Sequence, residues 1–166
     1  MKYLSLLTLL FVSILSFSTH NRGGEITYIH IGGNTYQFTI TTCTKNSAPA
    51  KRTELYLDFA DGTPIDTVPL SSSTLVGSDS RKNLYITTHT FAGSGTFRVT
   101  MEDPNRNGGI INVGGVTLSD QIAFCVATEI VVSPFLGVNN SVQFNDCPCP
   151  EFACLTRRYC YNSRVY

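Results

Sequence analysis

A chain of 166 residues suits one domain of about 100–150 residues with extensions at its ends. Twelve Lys and Arg balance twelve Asp and Glu, which removes the electrostatic case for nucleic acid, whose binding needs a clustered basic surface. Charged residues make up only 14% while apolar residues reach 42%; Thr, Ser, Asn and Gly fill the difference, a mix that favours strands and turns over helices.

The amino-terminal stretch differs from everything after it. Met1-Lys2-Tyr3 carries one positive charge, Leu4 to Phe17 is apolar or Ser/Thr, and Ser16-Phe17-Ser18 ends the run on small residues. The run is short for a span of about 20 residues, and polar Thr19-His20-Asn21-Arg22 follows it. Residues 1–18 are therefore expected to be a cleaved secretory signal peptide. No later stretch is apolar for long enough to cross a membrane, so no membrane span is expected in the mature chain.

Glu25–Ile31 and Thr35–Cys43 read as a hairpin around Gly32-Gly33-Asn34, residues that tolerate the positive φ of tight turns. Lys45–Lys51 is a polar loop, and Thr53–Phe59 is a strand with Leu55, Leu57 and Phe59 on one face. Serine-rich Ser71–Ser80 reads as an exposed loop. Leu84–Phe91 and Gly95–Glu102 are expected to pair as a second hairpin; in the latter, Phe97, Val99 and Met101 alternate with polar residues. Asp103-Pro104 and Gly108-Gly109 stop that run. Ile110–Val113 is a short strand and Gln121–Val132 a long one, apolar at even positions. The pattern predicts an all-β antiparallel sandwich over residues 19–132. Its expected core holds Phe38, Ile40, Leu55, Leu57, Phe97, Val99 and Phe124. Residues 133–166 are expected to be a linker and the start of a truncated second module.

Leu55-Tyr56-Leu57-Asp58-Phe59-Ala60-Asp61-Gly62-Thr63 and His89-Thr90-Phe91, with Gly95-Thr96-Phe97 and Val99-Thr100-Met101 after them, resemble the signature of the polycystic-kidney-disease (PKD) domain. The resemblance covers residues 34–103 and implies an immunoglobulin-like sandwich. The chain departs from the signature in having no Trp, in Ala60 where Gly is usual, and in Gly93-Ser94-Gly95 where a Pro-containing turn is usual. Residues 19–28, 102–109 and 132–141 further resemble the amino-terminal region of large secreted surface proteins of Bacteroidota, the gliding-motility-associated proteins exported by type IX secretion. That likeness implies a secreted or outer-membrane surface location.

The polar residues admit several chemistries. Asp58, Asp61 and Asp66 are carboxylates close in sequence, but a spacing of three in a strand turns Asp58 and Asp61 to opposite faces, and Asp61-Gly62 is a turn. Asp103, Asn105 and Asn107 match the first half of a calcium loop, with Gly114 where the closing Glu should stand. His20, His30 and His89 are scattered, and Cys147, Cys149, Cys154 and Cys160 lack zinc-knuckle spacing. Cys43 and Cys125 invite a disulfide in an exported protein, the alternative being two free surface thiols. No catalytic or cofactor-binding set stands out. The expected role is a non-catalytic cell-surface spacer or adhesion unit whose partners are other surface proteins or glycans. The alternative is an accessory domain of a secreted hydrolase that binds carbohydrate through an aromatic platform of Tyr28, Tyr36, Tyr56 and Tyr85. Either way, Lys45–Lys51 and Ser71–Ser80 are the expected contact loops.

Overall fold

The computed structural model describes residues 21–49, 51–110, 113–114 and 118–142. Residues 1–18, expected to be a signal peptide, His20 and the four carboxy-terminal cysteines lie outside the described residues. Among those described, no helix is long and apolar enough to cross a membrane.

Seven strands form among the described residues: β1 (Asn21–Gly32), β2 (Thr35–Lys45), β3 (Glu54–Asp58), β4 (Asp66–Val76), β5 (Ser80–Thr90), β6 (Gly95–Asp103) and β7 (Phe124–Val132). All pair antiparallel in the order β1-β2-β5-β4-β3-β6-β7. The fold is thus all-β, as the alternation predicts. β4 belongs to both halves of the sheet. Asp66–Pro69 pairs with β3, a register shift follows between Leu70 and Ser72, and Ser72–Val76 continues along β5. A bulge of this kind bends a strand and lets it turn a corner.

The first hairpin forms as expected, with Gly33 at φ 58° in its turn. The second does not. β5 already carries β2 on one edge and β4 on the other, so β6 has no edge of β5 to join. It crosses to the opposite side and pairs with β3 and β7 instead. Serine-rich Ser71–Val76 is strand rather than loop, because register with β5 outweighs weak intrinsic propensity. The expected loop shrinks to the turn at Gly77, whose φ of 74° suits glycine. Ile110 and Val113 are not strand residues.

The core sits between the two halves. Phe38, Ile40, Leu55, Leu57, Val99 and Phe124 are buried, as alternation predicts, together with Tyr36, Phe59, Tyr85, Phe91 and Met101. Phe38 meets Phe59 edge to face at 5.2 Å. Phe97 is only partly buried and stacks on Phe91 at 4.5 Å. The outer edge of β1, a hazard in an open sheet, is engaged at both ends. Asn21 exchanges backbone bonds with Asn105 and Asn107. Farther along, Ser141 bonds the backbone of Tyr28, and Asn140 accepts the amide of His30. Between them Gly24 leaves space that a side chain would fill, since a Cβ there would stand 2.6 Å from the Thr41 carbonyl and 3.3 Å from the Phe124 ring.

Candidate functional site

The strands differ in length, and that difference makes a cleft. β3 has five residues, whereas β2, β4 and β5 have eleven each. β3 begins at the level of Leu70, whose amide bonds the Thr53 carbonyl. Beyond that level the inner face of β2, β5 and β4 has no strand opposite it. Inward positions that read Ile40 and Tyr85 inside the core become Thr42 and Thr44 on β2 and Asn83 and Arg81 on β5, with Ser73 beside them on β4. The segment leading into β3 folds over this overhang and leaves a cleft of roughly 280 Å³.

The overhanging side chains bond one another. Ser73 Oγ donates to Asn83 Oδ1 at 2.6 Å, and Asn83 Nδ2 donates to Thr44 Oγ1 at 3.0 Å. Arg81 Nε reaches Asn46 Oδ1 at 3.0 Å and its Nη1 reaches Ser73 Oγ at 3.1 Å. Buried polar groups tolerate their position because they are paired in this way. Arg52 anchors the far wall: its backbone carbonyl accepts the Tyr85 hydroxyl, and its guanidinium grips buried Asp103 at 2.8 and 3.0 Å. That bidentate bond holds Arg52 above its ordinary pKa against the opposing effect of burial.

Four cations line the cleft: Lys45, Lys51, Arg52 and Arg81. Asp103 neutralises Arg52. Asp79, on the adjoining turn, spends its oxygens on the amide and hydroxyl of Ser47 and on Arg22. Those Ser47 bonds, with Arg22 and Lys45 nearby, outweigh desolvation and lower the Asp79 pKa. The cleft is therefore a positive site on a chain of zero formal charge.

The sequence-derived candidates fall elsewhere or into structural roles. Asp58 accepts the Ala60 amide, Asp66 accepts the Thr87 hydroxyl, and Asp61 binds Thr63 and His89. They do not converge, and no group of three or more His, Cys, Asp or Glu able to hold a metal occurs among the described residues. Asp103 also accepts the Asn105 amide, while the Asn107 side chain donates to the Gly108 carbonyl. The only carboxylate of the half calcium loop is thus engaged by a guanidinium, which does not suit a cation. Cys43 and Cys125 are each disulfide-bonded, so neither is the free thiol of the alternative reading. Tyr28, Tyr36 and Tyr85 are buried in the core and only Tyr56 is exposed, so the tyrosines form no platform.

The cleft residues Thr44, Asn83 and Arg81 were missed from sequence, whereas Ser73 lies in one of the expected contact loops. Their signal was present: polar residues continue the core parity past the end of β3, which marks a sheet face left without a partner. Of the two expected contact loops, the first supplies Lys45 and Lys51 to the cleft, and the second supplies Ser73 and is a strand there. No protein-family model matches the chain, and neither a curated protein nor a solved structure matches it.

Proposed function

We propose that this chain is a PKD-like, immunoglobulin-like module of a secreted or surface-attached protein, non-catalytic, and serving as a spacer or adhesion unit. The observation that carries it is the strand order, β1-β2-β5-β4 followed by β3-β6-β7. It divides four and three in the order that immunoglobulin sandwiches use. Two details support the PKD-like reading. Ala60 takes φ 52° where the PKD signature has Gly, and His89 bonds Asp61, so the two halves of that signature meet. Disulfide-bonded cysteines suit an oxidising compartment. The carboxylates and imidazole of Asp58, Asp61, Asp66 and His89 are held in turns, hydrogen bonds and an ion pair, which favours architecture over catalysis.

Fractionating the native host and trapping thiols before mass spectrometry tests this reading. The expected product is surface-bound or released, starts after Ser18, and has Cys43 and Cys125 blocked to alkylation. A reduced cytoplasmic chain that keeps residues 1–18 would overturn it. Peptide mapping without reduction would assign each cysteine its partner, the Cys43–Cys125 bridge being the proposed one. The second reading, an accessory domain of a secreted hydrolase, is favoured by the cleft.

A further inference from the structure

We propose that the cationic cleft at the β2–β5–β4 overhang binds an acidic saccharide, a sugar unit bearing a carboxylate or a sulfate. Three features of the site select this chemistry. Lys45, Lys51 and Arg81 supply positive charge, and no carboxylate lines the cleft beside them. Arg81 is held in place by Asn46 and Ser73, so a guanidinium with N–H donors to spare is pre-oriented for an oxyanion. Thr44, Ser73 and Asn83 bond one another, so the rest of the wall is mostly apolar surface, on which the C–H face of a sugar ring can rest. The cleft, roughly 280 Å³, is near the lower end of small-molecule sites, which run from about 300 to 1,000 Å³. It therefore takes one or two rings and not a long segment. Its position at one end of the strands leaves it a compact recess, whereas an acidic peptide would need an extended groove.

The inference stands apart from where the protein resides. Failure of binding leaves the secretion result untouched, and a cytoplasmic chain leaves the binding result untouched. Isothermal titration of the full chain at low salt would use four probes: tetragalacturonate for the carboxylate, a chondroitin sulfate tetrasaccharide for the sulfate, neutral cellotetraose, and hexaglutamate. At least one acidic tetrasaccharide is expected to bind, and its identity reports which anion the site takes. About 0.5 M NaCl should weaken that binding strongly. The double variant Lys45→Gln/Lys51→Gln leaves the Arg81–Asn83 network intact and should lose about tenfold in affinity, with the melting temperature unchanged. Arg81→Gln should lose more, and its circular dichroism spectrum checks that it is folded. Silence from both acidic tetrasaccharides would overturn the proposal. So would equal binding of cellotetraose, equal binding by the Lys45→Gln/Lys51→Gln variant, or hexaglutamate binding as tightly as the sugars.

Discussion

Ala60 is the one non-glycine residue with positive φ among those described. It follows Phe59, a core ring fixed against Phe38, and precedes Asp61, so the chain must turn there. A left-handed alanine costs about 1–2 kcal/mol, and glycine brings back about 0.5–1 kcal/mol of unfolded-state entropy. Ala60→Gly should therefore stabilise the domain by about 0.5–1 kcal/mol, read as a higher urea midpoint at constant slope. The neighbouring carboxylate gives a pH signature. Burial alone would raise the pKa of Asp61, but bonds from the Thr63 hydroxyl, His89 and the Thr63 amide outweigh it and bring the value to about 2. The folded pKa lies below the unfolded one, so the stabilisation is present above pH about 4 and is lost as pH falls toward about 2. Solvent screening at the turn reduces its size to about 1 kcal/mol. Asp61→Asn should be less stable than the parent at neutral pH and should lose less between pH 4 and 2, as thermal melts across that range would show. Among core residues, Phe38→Ala should cost about 3–5 kcal/mol. Partly buried Phe97→Ala should cost less, about 1.5–2.5 kcal/mol. Equal losses in chemical denaturation would mean that Phe97 packs as deeply as Phe38.

At the scale of elements, what was legible depended on whether the deciding interaction was local. The β1–β2 hairpin was readable because its turn residues and both alternating strands lie in one short stretch. The core faces of β3, β6 and β7 were readable for the same reason, through Leu55 and Leu57, Val99, and Phe124. The partner of β6 was not readable, because the pattern of Gly95–Asp103 says which face is buried and nothing about which edge is vacant. That was settled by β2 and β4 occupying both edges of β5. Ser71–Val76 was misread because serine carries little strand signal of its own, while its pairing partner Ser80–Tyr85 carries enough for both. The cleft escaped notice because it depends on β3 being shorter than its neighbours, a comparison between segments distant in sequence. Asp61 reads as a turn residue and His89 as one of three scattered histidines; that they bond at 2.7 Å, with His89 lying flat on Phe59 at 3.7 Å, depends on how β5 faces the β3–β4 turn.

For the whole molecule, the uneven stitching of the sheet has a consequence in time. β6 and β7 pair along their full length, from Gly95↔Val132 to Asp103↔Phe124. β2 and β5 do likewise, from Thr35↔Thr90 to Lys45↔Ser80. Between these two blocks the ladder narrows, because β6 meets β3 only at Leu57↔Met101 and Asp58↔Thr100. The Arg52–Asp103 pair reinforces that junction. Cooperative units of a protein open separately where few bonds cross between them. Native-state hydrogen exchange should thus resolve two populations of slow amides. Those of β2 and β5 should exchange only through global unfolding, and those of β6 and β7 through a cheaper partial opening in protein whose cysteines have been reduced, because the proposed Cys43–Cys125 bridge would tie β7 to β2. Arg52→Ala should speed the second population more than the first. One shared opening free energy across all four strands would show instead that the narrow junction transmits cooperativity as well as the long ladders do.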